Sequence, residues 1–152
     1  MFRMGKYDPK DAVKHVVHDY VSLVLAGRDT QKPHPYPINH YAERTFLTHC
    51  RALGDFFDPK MKGEDDLHAN DFTKKKFSAE VPTWRDWRKH INKHLMHLTV
   101  GRIKNKRPWN GKPNKAILKE FAAAWAKFLD ALKDDLKPLF EAEIKKQGKG
   151  VI

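Results

Sequence analysis

One segment of the sequence, residues 84–103, constrains the fold of this chain most strongly. Its histidines, His90, His94 and His97, are separated by four and then three residues. Its apolar side chains recur at the same intervals: Trp84, Trp87, Ile91, Leu95 and Leu98. This spacing is typical of one face of an α-helix, and at about 100° per residue the histidines lie about 100° around the helix from that face. The sequence therefore predicts an amphipathic helix that buries its tryptophans and places its histidines beside the core.

Helical periodicity also occurs in three other segments, and no stretch alternates convincingly like a half-buried strand. We therefore predict an all-α protein, an antiparallel bundle in which most connections are short. The four main helices are expected at about residues 9–26, 39–58, 84–103 and 114–137. The polar residues 59–82 are predicted to form a long, partly ordered loop onto which Leu67, Phe72 and Phe77 pack. A chain of 152 residues suits a single domain, here with flexible ends at residues 1–7 and 147–152.

Local signals indicate where these helices begin and end. Asp8, Asn39 and Thr83 are residue types that cap helix N-termini, so we expect them at three helix starts. Gly27 is a natural stop for the first helix. Pro138 is expected to end or kink the last helix, with a further turn or two after it.

The charge of the chain points to a polyanionic partner. The formal net charge is +11, and residues 84–115 contain ten Lys or Arg against Asp86 alone, a local net charge of +9. Residues 54–71 are acidic instead. Concentrated positive charge favours nucleic acid first and an anionic membrane surface second. No apolar run is long enough for a membrane span, and the N-terminus lacks an apolar signal core, so we expect a cytoplasmic protein.

Few catalytic motifs fit this sequence. It contains no phosphate-binding loop, nucleophile elbow or cysteine-rich metal site, and its single cysteine, Cys50, excludes an internal disulfide. The spacing of His90 and His94 suits two ligands of one divalent metal ion on a helix. The HEXXH pattern is absent, however, and Lys93 adds positive charge beside the ion. Metal binding through this pair is therefore a weak alternative.

Metal-independent RNA cleavage is a second chemistry that the segment could support. It needs a group that moves the 2′-hydroxyl proton and a cation that stabilises the developing phosphorane charge. Histidine suits the first role near neutral pH, and arginine suits the second. Arg85 precedes His90 by five residues, and Arg88 precedes His94 by six. Both pairs are candidates for this chemistry.

The same residues resemble the motif of HEPN proteins, which are four- to five-helix bundles, many of them toxin or defence ribonucleases. That motif is an arginine, usually a polar residue, and a histidine after four to six intervening positions. The pairs Arg85–His90 and Arg88–His94 fit it. The segment INKHLMHLT is also similar to an I-N-K-x-x-A-H-L-T form in uncharacterised bacterial relatives; there Asn92, Lys93 and His97 match, and Ile91 stands where an arginine is typical. HCRALGDFFD and EDDLHANDF look like other segments of that group, so the resemblance covers roughly residues 40–130.

The resemblance implies a homodimer, because paired motifs from two subunits commonly form the active site, and it implies no cofactor. His97 or His90 would transfer the proton, and Asn92 would orient. The arginine that stabilises phosphate would be Arg85, Arg88 or Arg102. The expected RNA-binding residues are Lys93, Arg102, Lys104, Lys106, Arg107 and Trp109.

Several of these residues have other roles open to them. Trp109 either stacks on a base or plugs the end of the bundle. Arg102 falls on the apolar face of its helix, and there it would pair with an acid such as Asp55 or Asp66. The leading hypothesis is thus an HEPN-like RNA-binding protein that is a candidate metal-independent ribonuclease. The alternatives are a non-catalytic module that binds nucleic acid or protein, and a metal-dependent enzyme using His90 and His94.

Overall fold

The computed structural model describes residues 7–58, 66–91 and 111–151. Within these ranges the chain is all-helical, which confirms the predicted class, and the only strand-like feature is an isolated bridge between Thr73 and Leu132. The helices are α1 (Pro9–Asp29), α2 (Ile38–Phe57), α3 (Pro82–Ile91), α4 (Asn114–Ala131) and α5 (Lys137–Gln147), with a short 3-10 helix at Ala69–Asp71. None of the described helices combines the length and the apolar character needed to cross a membrane.

Helix α1 begins as predicted and ends later than predicted. Asp8 caps it by accepting a hydrogen bond from the Lys10 amide at 2.9 Å. Gly27 was expected to stop the helix, yet α1 continues to Asp29. A Cβ atom at Gly27 would lie 2.9 Å from Phe46 of α2 and 3.1 Å from Leu118 of α4. Gly27 therefore permits close packing of three helices rather than ending one.

Helix α2 occupies almost the predicted residues, but its expected cap was wrong. The helix begins at Ile38, and the Asn39 side chain accepts a hydrogen bond from the His40 amide at 2.8 Å instead of capping. The predicted buried stripe is largely correct, since four of its residues are buried: Phe46, Cys50, Leu53 and Phe57. Contacts of Gly27 with Phe46 and of Asp19 with His49 show that α1 and α2 run antiparallel.

The core is built around the ring of Phe128 in α4. Its centroid lies 5.3 to 6.2 Å from six other aromatic rings: those of Phe56, Phe57, Phe72, Phe77, Trp125 and Phe140. Most of these pairs meet edge to face or tilted, the arrangement that ring quadrupoles favour. Three helices, α2, α4 and α5, and the segment before α3 thus share one aromatic cluster.

Part of the predicted loop packs against this core, as expected. Phe72 and Phe77 are buried, and Leu67 packs partly against them. His68 and Asp71 form a reciprocal capping box around the short 3-10 helix. The backbone then pairs with the end of α4, because the Lys74 amide donates to Ala131 and the Lys133 amide donates to Phe72.

That pairing explains why the last predicted helix, at about 114–137, is two helices. Helix α4 ends at Ala131, where Leu132 turns to an extended conformation and faces Thr73. Leu132 and Leu136 are buried as predicted, but neither lies within α4. Pro138 does not end a helix; it lies in the first turn of α5, where its missing amide costs nothing.

Helix α1 packs against α2, α4 and α5, and α3 packs against α2 and α4. Helix α3 begins at Pro82, two residues before the predicted start, and is described as far as Ile91. The predicted continuation to residue 103 lies outside the described part. The four-helix antiparallel arrangement therefore stays a prediction.

Candidate nucleic-acid interface

Helix α3 carries the three predicted catalytic residues that the structure describes, and Glu120 of α4 holds its first turn. The Glu120 carboxylate accepts hydrogen bonds from the Thr83 amide at 3.0 and 3.1 Å and from the Thr83 hydroxyl at 2.6 Å. Thr83 was expected to cap the helix itself; instead its hydroxyl donates to an acid from another helix. A carboxylate at this end also complements the positive pole of the helix. Below it, the buried Trp84 fixes α3 against α2.

Both arginines of the HEPN-like motif lie beside acids of α2. The Arg88 guanidinium donates to Asp55 with an Nη2–Oδ1 distance of 2.7 Å, and both side chains are about three-quarters buried, at 23% and 25% exposure. Arg85 is more open, 59% exposed, and lies 3.9 Å from Asp58. These pairs dock the C-terminal turn of α2 onto α3. A phosphate that reached Arg88 would compete with Asp55 for its guanidinium.

The surroundings of Asp55 are acidic as well. Burial raises the pKa of the Asp55 carboxyl; the charges of Asp66 and Asp58 also raise it, and those of Arg88 and Arg51 oppose the rise. Asp55 also lines a hollow of about 210 Å³ together with Asp19 and Asp66. Negative charge on this side of Arg88 disfavours an approaching phosphate.

His90 is half-buried at the end of the described part of α3. Its ring lies 5.2 Å from that of Trp87 in an edge-to-face arrangement. On an ideal helix, five residues separate Arg85 and His90 by about 140°, so the two do not converge within one helix. The pair could form a site only together with residues from elsewhere, such as a second subunit.

The remaining predicted site residues lie outside the described ranges. They are Asn92, Lys93, His94, His97, Arg102, Lys104, Lys106, Arg107 and Trp109. In the described ranges, no group of three or more His, Cys, Asp or Glu side chains is arranged to hold a metal ion.

The structure also forms a surface that sequence reasoning missed. Between the α1–α2 connection and the start of α4 lies a polar groove of about 700 Å³, here called the aromatic–basic groove. Its polar and aromatic lining includes Lys32, His34, Tyr36, Asn39, His40 and Lys112. Tyr36 is 80% exposed, and its ring centroid lies 6.3 Å from that of His40. The proline-rich sequence of this connection predicted only an extended link, although its alternating Lys, His and Tyr were the available signal.

Glu43 and the turn before α4 form one wall of the aromatic–basic groove. The buried Asn114 donates from its Nδ2 to both Glu43 carboxylate oxygens, at 2.8 and 3.1 Å. Gly111 adopts a positive φ of 75°, which residues with a side chain rarely adopt, and it brings Lys112 to the groove. The groove is therefore held by two helices and a fixed turn.

A row of exposed side chains continues from this groove along α2. Tyr41, Arg44, Thr48 and Arg51 recur at intervals of three and four residues and are all exposed; we call them the α2 stripe. Tyr41 is 64% exposed, and its ring lies 6.2 Å from that of His40 in the groove. At 1.5 Å per residue the stripe is about 15 Å long. Groove and stripe together offer stacking surfaces and cations along one path.

Comparisons of the chain with protein-family models, with curated proteins and with solved structures found no match. The function of the protein therefore has to follow from its own residues. The surface defined by the described residues places open aromatic rings among basic side chains.

Proposed function

We propose that this protein is an HEPN-like, cytoplasmic RNA-binding protein, and that single-stranded RNA contacts the aromatic–basic groove and the α2 stripe. The observation that carries the proposal is the exposure of Tyr36 and Tyr41 beside His40, with Lys and Arg side chains on either side. Exposed tyrosines are costly to leave in water, and stacked bases would cover them.

Stacking of bases on aromatic rings and neutralisation of phosphates by cations are the two contributions that we expect to binding at this surface. Base–aromatic stacking contributes about 1–3 kcal/mol per base and tolerates many sequences, because every base has a flat face. Cations that neutralise phosphates release counterions, so binding weakens as salt rises. The net charge of +11 supports the same conclusion by favouring a polyanion. We expect binding that is strong at low salt and has little sequence preference.

Metal-independent RNA cleavage is a second candidate function. Arg85 is open to solvent and shares α3 with His90, as the HEPN-like motif requires. In the proposed ribonuclease, a homodimer brings the motifs of two subunits together, and His97 or His90 transfers the proton. The Arg88–Asp55 pair favours RNA binding without cleavage, because it gives one arginine of the motif a structural partner.

The binding proposal is tested by fluorescence anisotropy with labelled single-stranded RNA at about 50 and 200 mM salt. Tyr36→Ala and Tyr41→Ala should each weaken binding about 5- to 150-fold, the loss of one stacked base. Leu139→Ala is the matched control, because Leu139 is an exposed apolar side chain on α5. If both tyrosine variants bind like the control, the proposed surface is wrong.

Charge variants separate phosphate contacts from stacking. Arg44→Ala combined with Arg51→Ala should lower the salt slope by roughly 1.4, about 0.7 for each lost contact with a single strand. Lys145→Ala with Lys146→Ala removes the same charge from an exposed part of α5 and should leave the slope nearly unchanged. A DNA strand of the same sequence shows whether the 2′-hydroxyl is recognised.

Cleavage is measured in the same samples with EDTA present. Product formation that His90→Ala or His97→Ala abolishes, with binding retained, would support the ribonuclease. Salt-sensitive binding without product would limit the function to binding.

A further inference from the structure

A second groove lies on another side of the bundle, between α1, α4 and α5. Its volume is about 730 Å³, within the range of small-molecule sites. The largest share of its lining comes from one face of α4, where Ala122 and Ala126 leave room above the backbone. The opposite wall is formed by three residues of α1 that lie four positions apart: Tyr20, Val24 and Arg28. Both walls are regular helix faces, so the groove is a fixed feature of the fold.

The floor of the groove is aromatic. The rings of Tyr20 and Trp125 stack with their centroids 4.2 Å apart and an interplanar angle of 12°. Burial raises the pKa of Tyr20 to about 12, so the phenol stays neutral at physiological pH. A neutral, flat floor suits the apolar part of a ligand.

The two ends of the groove differ in charge. Arg28, Lys115 and Lys119 lie at one end, here called the cationic end, and all three are exposed. Leu129 and Ile144 lie towards the other end, the apolar end. Two contacts show that α1 and α4 run antiparallel: Gly27 lies near Leu118, and Tyr20 stacks on Trp125. Arg28 therefore lies at the same end of the groove as Lys115. Among the residues that the structure describes, no acidic side chain lines the groove.

The first turn of α4 strengthens the positive potential of the cationic end. Helix α4 begins at Asn114, one residue before Lys115, so its positive pole lies there. At 1.5 Å per residue, the fourteen steps from Lys115 to Leu129 give a groove about 21 Å long. That length suits an extended alkyl chain better than a compact metabolite.

The geometry points to a binding site for a single-chain anionic amphiphile, with its head group at the cationic end and its alkyl chain over Ala122 and Ala126 towards the apolar end. Fatty acids and alkyl phosphates share this chemistry. A second copy of the chain fits less well, because it would bring the same three cations to a groove whose described lining contains no acid. The described lining of this site has no residue in common with that of the aromatic–basic groove, so the site stands apart from RNA binding.

The test is isothermal titration with three probes of equal chain length, each kept below its micelle concentration. Dodecanoate and dodecyl phosphate should bind the full-length protein with a stoichiometry of one. Dodecyltrimethylammonium should bind about tenfold more weakly or not at all, because its head group is repelled by the cationic end. A preference for one anionic probe identifies the head group.

Two pairs of variants locate the site. Ala122→Trp fills the groove and should abolish binding, whereas Ala123→Trp adds the same ring to an exposed neighbour outside the lining and should not. Circular dichroism confirms that both variants fold. Lys115→Glu with Lys119→Glu should weaken anion binding about tenfold or more, while Lys145→Glu with Lys146→Glu should leave it unchanged.

Three results would overturn the proposal. One is equal affinity for the anionic and cationic probes. Another is full binding by Ala122→Trp. The third comes from sedimentation: a wild-type dimer that Ala122→Trp dissociates would show that a second copy covers the groove.

Discussion

Replacing Arg88 with alanine should destabilise the protein by about 2–3 kcal/mol near neutral pH. Exposed ion pairs contribute about 0–1 kcal/mol, and breaking a fully buried pair costs about 3–5 kcal/mol. The Arg88–Asp55 pair lies between these limits, since its side chains are 23% and 25% exposed and its atoms are 2.7 Å apart. Arg85→Ala is the matched control on the same helix, and at 59% exposure and 3.9 Å it should cost less than about 1 kcal/mol.

The loss of stability caused by Arg88→Ala should be larger at neutral pH than at acidic pH. Burial already holds the pKa of Asp55 above its usual value, so the folded state loses stability as pH rises through that raised pKa. Removing the Arg88 charge raises the pKa of Asp55 further. Below both folded-state values Asp55 is protonated in wild type and variant alike, and the difference in stability shrinks to the lost packing. Above both values the full penalty of an uncompensated carboxylate appears.

Urea unfolding at pH 3, below the ordinary Asp pKa of about 3.9, and at pH 7.5 measures this dependence, and a double-mutant cycle with Asp55→Asn isolates the pair. The coupling free energy at pH 7.5 should be about 1–3 kcal/mol. The reasoning is refuted if Arg88→Ala costs no more than Arg85→Ala, or if its cost is the same at both pH values. A stable Arg88→Ala variant that has lost RNA cleavage would instead assign Arg88 to catalysis.

Three further outcomes follow from the packing of α2 and α3. Glu120→Ala should cost about 1–2 kcal/mol in urea unfolding by removing the hydrogen bonds to Thr83, and a cost below about 0.3 kcal/mol would contradict that role. Gly54→Ala should lower Tm at a cost of about 1–3 kcal/mol, because its Cβ would overlap the Trp84 indole, whereas a rise in Tm would show that the indole moves freely. Cys50 is buried and its thiol pKa is raised, so a thiol reagent should modify it only on unfolding; rapid native labelling would disprove this.

The sequence predicted the helices well where the apolar pattern alone decides the structure. Helix α2 begins and ends within one residue of its predicted range, and Trp84 and Ile91 of α3 are buried as expected. The pattern misled at the end of α4, where Leu132 continues the apolar spacing but leaves the helix. The cause is the bridge to Thr73, about 60 residues away in sequence, which no local pattern reports.

The candidate site was harder to predict, because the spacing of residues along a helix does not show which side chain of another element each one contacts. Arg88 looked like a phosphate ligand on a basic helix, and the structure gives it Asp55 instead. Glu120 holds the start of α3, a role that the apolar spacing of α4 does not indicate. The aromatic–basic groove joins Tyr36 to Lys112 across more than 70 residues of sequence. Such contacts depend on tertiary packing, which single-sequence periodicity does not contain.

The spacing of the two ion pairs bears on how the HEPN-like motif should be understood. Arg85 and Arg88 are three residues apart on α3, and their partners Asp58 and Asp55 are three residues apart on α2. Matched spacing of opposite charges on two packed helices sets their register, so both arginines have a structural reason to be where they are. On the α2 stripe, Arg44 and Arg51 are both exposed, and the charge of Arg51 also opposes the rise in the pKa of Asp55. In the proposed binding mode, the exposed Arg44 is therefore more open to a phosphate than Arg88, which is paired with Asp55.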